Sequence, residues 1–481
     1  MAGQREHDDL PQPFDAKKLA PAKKRQRSTS PGASGDGQRK QKRPGQRARI
    51  TDAERERARQ RAIERERAAQ EEPAPGVANN DSRRAAINDV VRAHYNAVPE
   101  RGRDWRKTDS RIKGLRSFNN WVKSCIIQKF SPDEDHTPGA LARGVRSDNQ
   151  LLVLDIGCGK GGDLGKWQQA PQQVELYVGL DPADVSIDQA RERYRSMSQR
   201  GGGRGGRGGY GRRPQQRLFD ARFHVKDCYG ESIEDIDIIR QVGFTASSIA
   251  EHRGFDVVSM MFCMHYAFES EAKARQMLKN VAGSLKKGGR FIGCIPNSDV
   301  IGTRVEEFNK GLQERKKKQA EAAATKTEEA GNTENGDEDK PQTDGAKAED
   351  EGEVEEGEAE ETAQWGNDIY RVRFPGKTPE DGIFRPPFGW KYNFFLHEAV
   401  EEVPEYVVPW EAFRALAEDY NLELQYHKTF REVWETEKDD RELGPLSERM
   451  GVRERHGGAL LVSPEEMEAA SFYVAFCFYR V

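Results

Sequence analysis

The 481 residues are 35% hydrophobic and 33% charged, enough chain for roughly two or three domains but too few core-forming residues to pack all of it. The net charge of −4 hides a basic N-terminal region and an acidic block past residue 320, so local charge bears on partners and total charge does not. No apolar run is long enough to span a membrane, the opening MAGQREHDDL has no signal-peptide core, and six cysteines at 125, 158, 228, 263, 294 and 477 form no C-x-x-C pair. A membrane or disulfide-scaffold protein is excluded, and an intracellular, soluble chain with small buried thiols is expected.

Residues 1–82 have the composition of a disordered basic tail, rich in Pro, Gly, Gln, Lys and Arg. Lys23-Lys24-Arg25 with Arg27, and Arg39-Lys40 with Lys42-Arg43, are clusters of the kind that direct nuclear import or contact nucleic acid. Thr51 and Glu54 have capping-box spacing before ERERARQRAIERERAAQ, which lacks an apolar stripe and predicts at most a solvated helix ending by Pro73. From Arg83 onward the pattern becomes that of a folded domain, residues 83–481. VVRAHYNAV has helical spacing, and LRSFNNWVKSCIIQKF is amphipathic, with Leu115, Phe118, Val122, Cys125 and Ile126 on one face. Asn119, Asn120 and Lys123 lie elsewhere around that helix. Residues 131–149 are polar and predict a loop.

LLVLDIGCGKGGD, Leu151 to Asp163, predicts a buried parallel strand that breaks into a glycine turn, followed by a helix with Asp163 in its first turn. Strand, glycine turn and helix N-terminus form a unit suited to a nucleotide-like ligand. The spacing D-x-G-x-G-x-G, from Asp155 to Gly161, differs from the G-x-G-x-x-G of dinucleotide sites and resembles motif I of S-adenosylmethionine-dependent methyltransferases. The apolar segment Val174–Leu180 ends in Asp181, at the distance of an acid that grips ribose hydroxyls. VSIDQARERYRSM is helical in pattern, with Arg193 and Tyr194 near its end, before a Gly/Arg-rich insertion at about 197–216. Strands follow at ARFHVKD, ending in Asp227, and at GFDVVSMMF, leading to His265 and Tyr266. A helix, ESEAKARQMLKNVAGSL, then turns at Lys286–Gly289 into the strand RFIGCIP.

Strands alternating with helices predict an α/β fold, a Rossmann-like doubly wound sheet. Its strand tips would bring Gly157, Asp181, Asp227 and Met261–Tyr266 to one crevice. A second insertion, about 316–362, is rich in Ala, Glu and Lys, ends in a run of acid, and predicts a disordered loop. The aromatic, β-branched segments GNDIYRVRF and FGWKYNFFLHEAVEEVPEYVVPW predict a small β-rich lobe over the crevice. WEAFRALAEDY predicts a helix, and LELQYH and FYVAFCFYR a strand pair that completes a seven-stranded sheet.

Eight blocks in order, FNNWVKS, LDIGCGKGGDLGKW, DPADVS, CMHYAFES, GCIPNS, GNDIYRVRF, FGWKYNF and VPEYVVP, closely resemble the eukaryotic, fungal-like mRNA cap guanine-N7 methyltransferases, over about residues 85–481 apart from the insertions. The resemblance implies transfer of a methyl group from S-adenosyl-L-methionine to N7 of the terminal guanine of capped mRNA. It implies cofactor contacts at Lys123, Gly157, Asp181, Asp227, Met261 and Tyr266, although the family usually has glutamine where Met261 stands. It implies cap contacts at Asn119, Asn120, Lys160, Lys166, Arg193, His265, Glu405 and Tyr473. In chemical terms Asp181 can accept from both ribose hydroxyls, Asp227 from the adenine amino group, and Lys123 can pair with the methionine carboxylate. Three cations suit a triphosphate. Glu405 only accepts hydrogen bonds, which matches the N1–H and amino donors of guanine.

Guanine N7 carries a free lone pair, so no general base is expected, with Glu405 and His265 positioning the base. A nuclear protein, with RNA polymerase II and other capping enzymes as partners of the basic tail, fits this picture. The other classes are a methyltransferase for another RNA position or a small molecule, and a non-catalytic RNA-binding scaffold built on the tail and the Gly/Arg loop.

Overall fold

The computed structural model describes residues 91–96, 109–133, 136, 144, 149–201, 218–244, 253–330 and 361–481. The basic tail, its two clusters, the segment 51–72 and the cores of both insertions lie outside these residues. A helical turn at 91–96 precedes α1 (Lys113–Phe130), whose predicted apolar face is fully buried, with Leu115, Phe118, Val122, Cys125 and Ile126 at 0–1% exposure.

The central sheet has seven strands: β1 (Leu151–Ile156), β2 (Val174–Asp181), β3 (Asp220–Val225), β4 (Phe255–Met261), β5 (Leu285–Pro296), β10 (Leu422–Thr429) and β11 (Tyr473–Arg480). Their order across the sheet is β10-β11-β5-β4-β1-β2-β3. The first five are parallel, and β11 runs antiparallel between β5 and β10. All six residues of β1 are buried, because alternate side chains feed two cores, one on each face. Strand order reverses between β1 and β4, so the crevice opens at their carboxyl ends.

Helices flank both faces. α2 (Leu164–Gln168), α3 (Asp184–Gly201) and α6 (Ser298–Ala330) join α1 on one side; α4 (Asp237–Val242), α5 (Glu271–Ser284) and α7 (Trp410–Glu418) line the other. A second, antiparallel sheet comprises β6 (Gln364–Gly366), β7 (Tyr370–Arg373), β8 (Lys391–Leu396) and β9 (Val400–Tyr406), in that order. Its inner face, with Tyr370, Val372, Tyr392 and Phe394, merges with the core on the α1 side.

Four features depart from the sequence pattern. β5 begins at Leu285 and takes in the Lys286–Gly289 stretch that predicted a turn, pairing irregularly with β4. α3 continues to Gly201, into the predicted first insertion. α6 runs through to Ala330, so residues 316–330 are helical where a disordered loop was expected. Lys, Gln, Ala and Glu are all strong helix formers, and an established helix extends through them without needing an apolar stripe. Finally, α8 (Phe430–Glu437), α9 (Leu443–Met450) and α10 (Pro464–Ala470) fill the interval between β10 and β11, where no element was predicted. Capping boxes at Thr429/Glu432 and Ser463/Glu466 start two of them.

Candidate active site

The tips of β1 to β4 are tied to one another. Gly157 and Cys158 donate to Leu180 O at 2.8 and 3.0 Å. Gly159 N donates to Asp181 Oδ2 at 2.9 Å, Cys263 Sγ to Ile156 O at 3.1 Å, and Tyr229 Oη to Cys263 O at 2.9 Å. Gly157 has φ +70°, and a Cβ there would lie 2.6 Å from Cys263 Sγ, so the turn closes against β4 only with glycine. The predicted convergence of Gly157, Asp181, Asp227 and Met261–Tyr266 is therefore present in space.

Asp181 ends β2 and accepts from Gly159 N and Ala183 N, each at 2.9 Å; burial raises its pKa and these two donors oppose the rise. Asp227 accepts from Tyr229 N at 2.9 Å and Gly230 N at 3.2 Å, both through Oδ1. Asp155 points into the sheet instead, accepting from Tyr177 Oη at 2.5 Å and Ser259 Oγ at 2.6 Å. Burial, and then the Asp163 charge, push its carboxyl up to about 7 against those two donors. Met261 turns its side chain into the core, 3.7 Å from Cys294 Sγ. Phe262, next in line, adopts φ +64°, and its ring meets Tyr473 at 4.8 Å with the Lys123 ammonium 5.7 Å from the centroid.

Asp163 is the junction of the basic wall. Its Oδ2 lies 2.8 Å from Lys123 Nζ and its Oδ1 2.7 Å from Lys166 Nζ, and Lys166 also donates to Asn120 Oδ1 at 2.7 Å. Burial opposes ionisation of Asp163, yet the two ammonium groups hold its carboxyl far below the usual range. The sequence placed Asp163 only in a helix turn; it makes no side-chain cap there and instead gathers residues expected at two different ligands. On the same wall Arg193 Nη1 donates to Gly161 O at 3.2 Å, and the Lys160 charge is felt at His94. Asn119 Oδ1 is buried with no hydrogen-bond partner among the described residues.

The facing wall comes from the second sheet. β9 is an edge strand, which tolerates Pro404, and the β8–β9 register sets Glu405 opposite Tyr392. Tyr392 Oη donates to Glu405 Oε2 at 2.8 Å. Burial, and next the Glu405 charge, push the hydroxyls of Tyr392 and Tyr473 well above their ordinary pKa, so both remain donors at neutral pH. His265 is 2% exposed, stands 3.5 Å from Glu405 Oε1, and makes no hydrogen bond through either nitrogen among the described residues. Tyr266 Oη lies 2.9 Å from Tyr95 Oη, and Asn96 Nδ2 donates to Asp184 Oδ1 at 2.9 Å, so the turn at 91–96 spans the crevice mouth. Tyr95, Tyr392 and Asp163 were not singled out from the sequence. Asp163 alone carried a local signal, its place in the glycine motif.

A buried anion-pairing wall faces a buried carboxylate across the tips of a doubly wound sheet, and known proteins share the sequence that builds it. The profile of the mRNA (guanine-N(7))-methyltransferase domain matches residues 78–324 and 353–481. The chain belongs to that family. A relative in Pyricularia oryzae named mRNA cap guanine-N(7) methyltransferase is 72% identical over 469 residues, spanning 97% of this chain and 91% of its own. A protein of the same name in Aspergillus clavatus is 57% identical over 467 residues, 92% of this chain and 77% of its own. Another in Schizosaccharomyces pombe is 40% identical over 402 residues, 83% and 84% of the two chains. The family member described here is an enzyme that methylates N7 of the terminal guanine of capped mRNA, with S-adenosyl-L-methionine as donor.

The crevice fits that donor. Among the described residues nothing stands within 4 Å of the place a Cβ on Gly159 would occupy, which leaves the turn beside Asp181 open to a ligand. Six cysteines are free and buried, as expected from their spacing. Among the described residues no helix is long and apolar enough to cross a membrane.

Proposed function

We propose that the cofactor half of the crevice is Lys123, Gly157, Asp181, Asp227 and Tyr266, with Met261 contributing backbone only, and that the cap half is Asn119, Asn120, Lys160, Lys166, Arg193, His265, Glu405 and Tyr473. When bound, S-adenosyl-L-methionine supplies an electrophilic methyl group on a positively charged sulfur. Asp181 accepts from the ribose hydroxyls and Asp227 from the adenine amino group. Lys123 and Lys166, both held by Asp163, present their remaining N–H donors to the methionine carboxylate and the cap phosphates.

One observation carries the guanine assignment: Glu405, only 5% exposed, keeps Tyr392 on one oxygen and turns the other toward His265. Guanine N1–H and its amino group satisfy such a carboxylate, whereas adenine leaves it unpaired, a loss of about 1–3 kcal/mol by analogy with base readout. N7 needs no deprotonation, so no general base is required. The base becomes cationic as N7 gains its substituent, and a fixed carboxylate on its edge stabilises that charge. Alignment of the two reactants supplies the rest.

Glu405→Gln is expected to lower methylation of GpppRNA about 100-fold, on the scale of removing one preorganised group, with the affinity for S-adenosylhomocysteine unchanged. Unaltered turnover at saturating substrate removes Glu405 from the mechanism. The basic clusters at 23–27 and 39–43 support a nuclear location and recruitment to RNA polymerase II and other capping enzymes; alanine at all eight lysines and arginines of the clusters should leave catalysis intact and abolish nuclear accumulation.

A further inference from the structure

α1 carries Asn119, Asn120 and Lys123, yet it begins without a cap of its own. Ile112 offers no side-chain hydrogen bond and the first turn holds no acid. Two carboxylates arrive from distant segments instead. Glu466 of α10 accepts from Leu115 N at 3.0 Å. Glu398, in the turn between β8 and β9, accepts from Ser110 Oγ at 2.6 Å and Arg111 N at 3.0 Å. Arg116 completes the clamp, with Nη1 3.7 Å from Glu398 Oε2 and 3.3 Å from Ser110 Oγ, and Nη2 donating to Glu398 O at 3.3 Å.

Two features set this contact apart from ordinary surface pairing. The Glu398 side chain is only 6% exposed, and its backbone takes φ +62°, a left-handed conformation that side-chain-bearing residues seldom adopt. Burial resists its ionisation, but Ser110, Arg111 N, Arg116 and His397 together hold its carboxyl below the usual range, so the clamp stays charged. Apolar packing of Tyr370, Phe394 and Phe472 already fastens the second sheet to the core, so Glu398 is not needed to attach it. What Glu398 adds is direction. It ties the hairpin leading into β9, and hence Glu405, to the start of the helix that bears Lys123.

We propose that Glu398 is a positioning residue that couples the guanine and cofactor sites, so that occupancy of one raises the affinity of the other. This rests on the assignment of Glu405 to guanine and Lys123 to the cofactor. Ordering the hairpin around a base pulls on Ser110, Arg111 and Arg116, and so on the helix; ordering the helix around the cofactor does the reverse. Such coupling is reciprocal by thermodynamic necessity.

The test is a pair of calorimetric titrations on the full chain with the dinucleotide GpppG and with S-adenosylhomocysteine, each alone and in the presence of the other. In the wild type each ligand should tighten the other about 5-fold or more. In Glu398→Ala that ratio should fall to about 1, while either ligand alone binds within about 3-fold of wild type. Ser110→Ala, which removes one donor and keeps the charge pair, should give an intermediate ratio and serves if Glu398→Ala does not fold. A ratio unchanged in both variants, with lowered melting temperature only, reduces the clamp to a structural contact and overturns the proposal. A wild type that binds both ligands independently also overturns it and leaves the site assignment standing. A wild type that binds neither overturns both.

Discussion

The two walls of the crevice solve the same problem, holding charge out of water, in opposite ways. On the glycine-turn side, Asp163 pairs with both Lys123 and Lys166 and offsets one of their two charges, so the charges there belong to the fold as much as to the ligand. On the lobe side, Glu405 accepts from the neutral hydroxyl of Tyr392, and the His265 beside it makes no hydrogen bond among the described residues. A residue of the first wall is thus expected to matter for stability and binding together. A residue of the second wall is expected to matter for guanine binding and the reaction, and little for stability.

That contrast can be broken by substitution. Asp163→Asn leaves two buried ammonium groups without their carboxylate and should cost about 3–5 kcal/mol of folding free energy in a denaturant titration; a loss below about 1 kcal/mol means the lysines find other partners. Gly157→Ala forces a side chain into a positive-φ position and against Cys263 Sγ. It should cost about 2 kcal/mol and abolish S-adenosylhomocysteine binding, and wild-type affinity speaks against the turn as the cofactor cradle.

Asp155 tests the same wall by pH. Its folded pKa, raised to about 7, lies above the unfolded value, so its contribution to stability is complete below about pH 4 and is lost as pH rises toward 7. The stability of the wild type should therefore fall relative to Asp155→Asn across that window, by at most about 1.4 kcal/mol per pH unit. Parallel stability profiles for the two proteins refute the buried-proton assignment. The smallest effect is expected on the lobe side, where Glu405→Gln keeps an oxygen for Tyr392 and should change stability by less than about 1 kcal/mol. A larger loss makes Glu405 a structural anchor after all.

The two walls also differ in how far the sequence reveals them. The glycine turn, Asp181 and Asp227 each sit at the end of a recognisable strand, so local pattern and the strand-tip rule together located them. Asn119 and Glu405 had no such marker, and resemblance alone made them cap contacts, whereas His265 lies in the Met261–Tyr266 stretch that the strand-tip rule brings to the crevice. Tyr392 was not singled out because its role depends on cross-strand register with Glu405, and register is set by the whole hairpin. The helical stretch 316–330 departs from its sequence pattern for a different reason. Charge and the lack of apolar residues argue against a packed element, but not against extension of a helix that is anchored upstream by Ile301 and Val305.

From the amino-acid order alone came the alternation of strands and helices, the glycine turn, the acids that end β2 and β3, and the eight blocks shared with cap methyltransferases, all signals carried by residues close together in the chain. Three-dimensional folding alone decided that Asp163 holds both lysines, that Met261 turns inward, and that Glu398 clamps the start of α1 from 282 residues away. Contacts of that kind join segments whose separation along the chain carries no periodic signal, and they exist only once the two sheets and α1 have packed around one core.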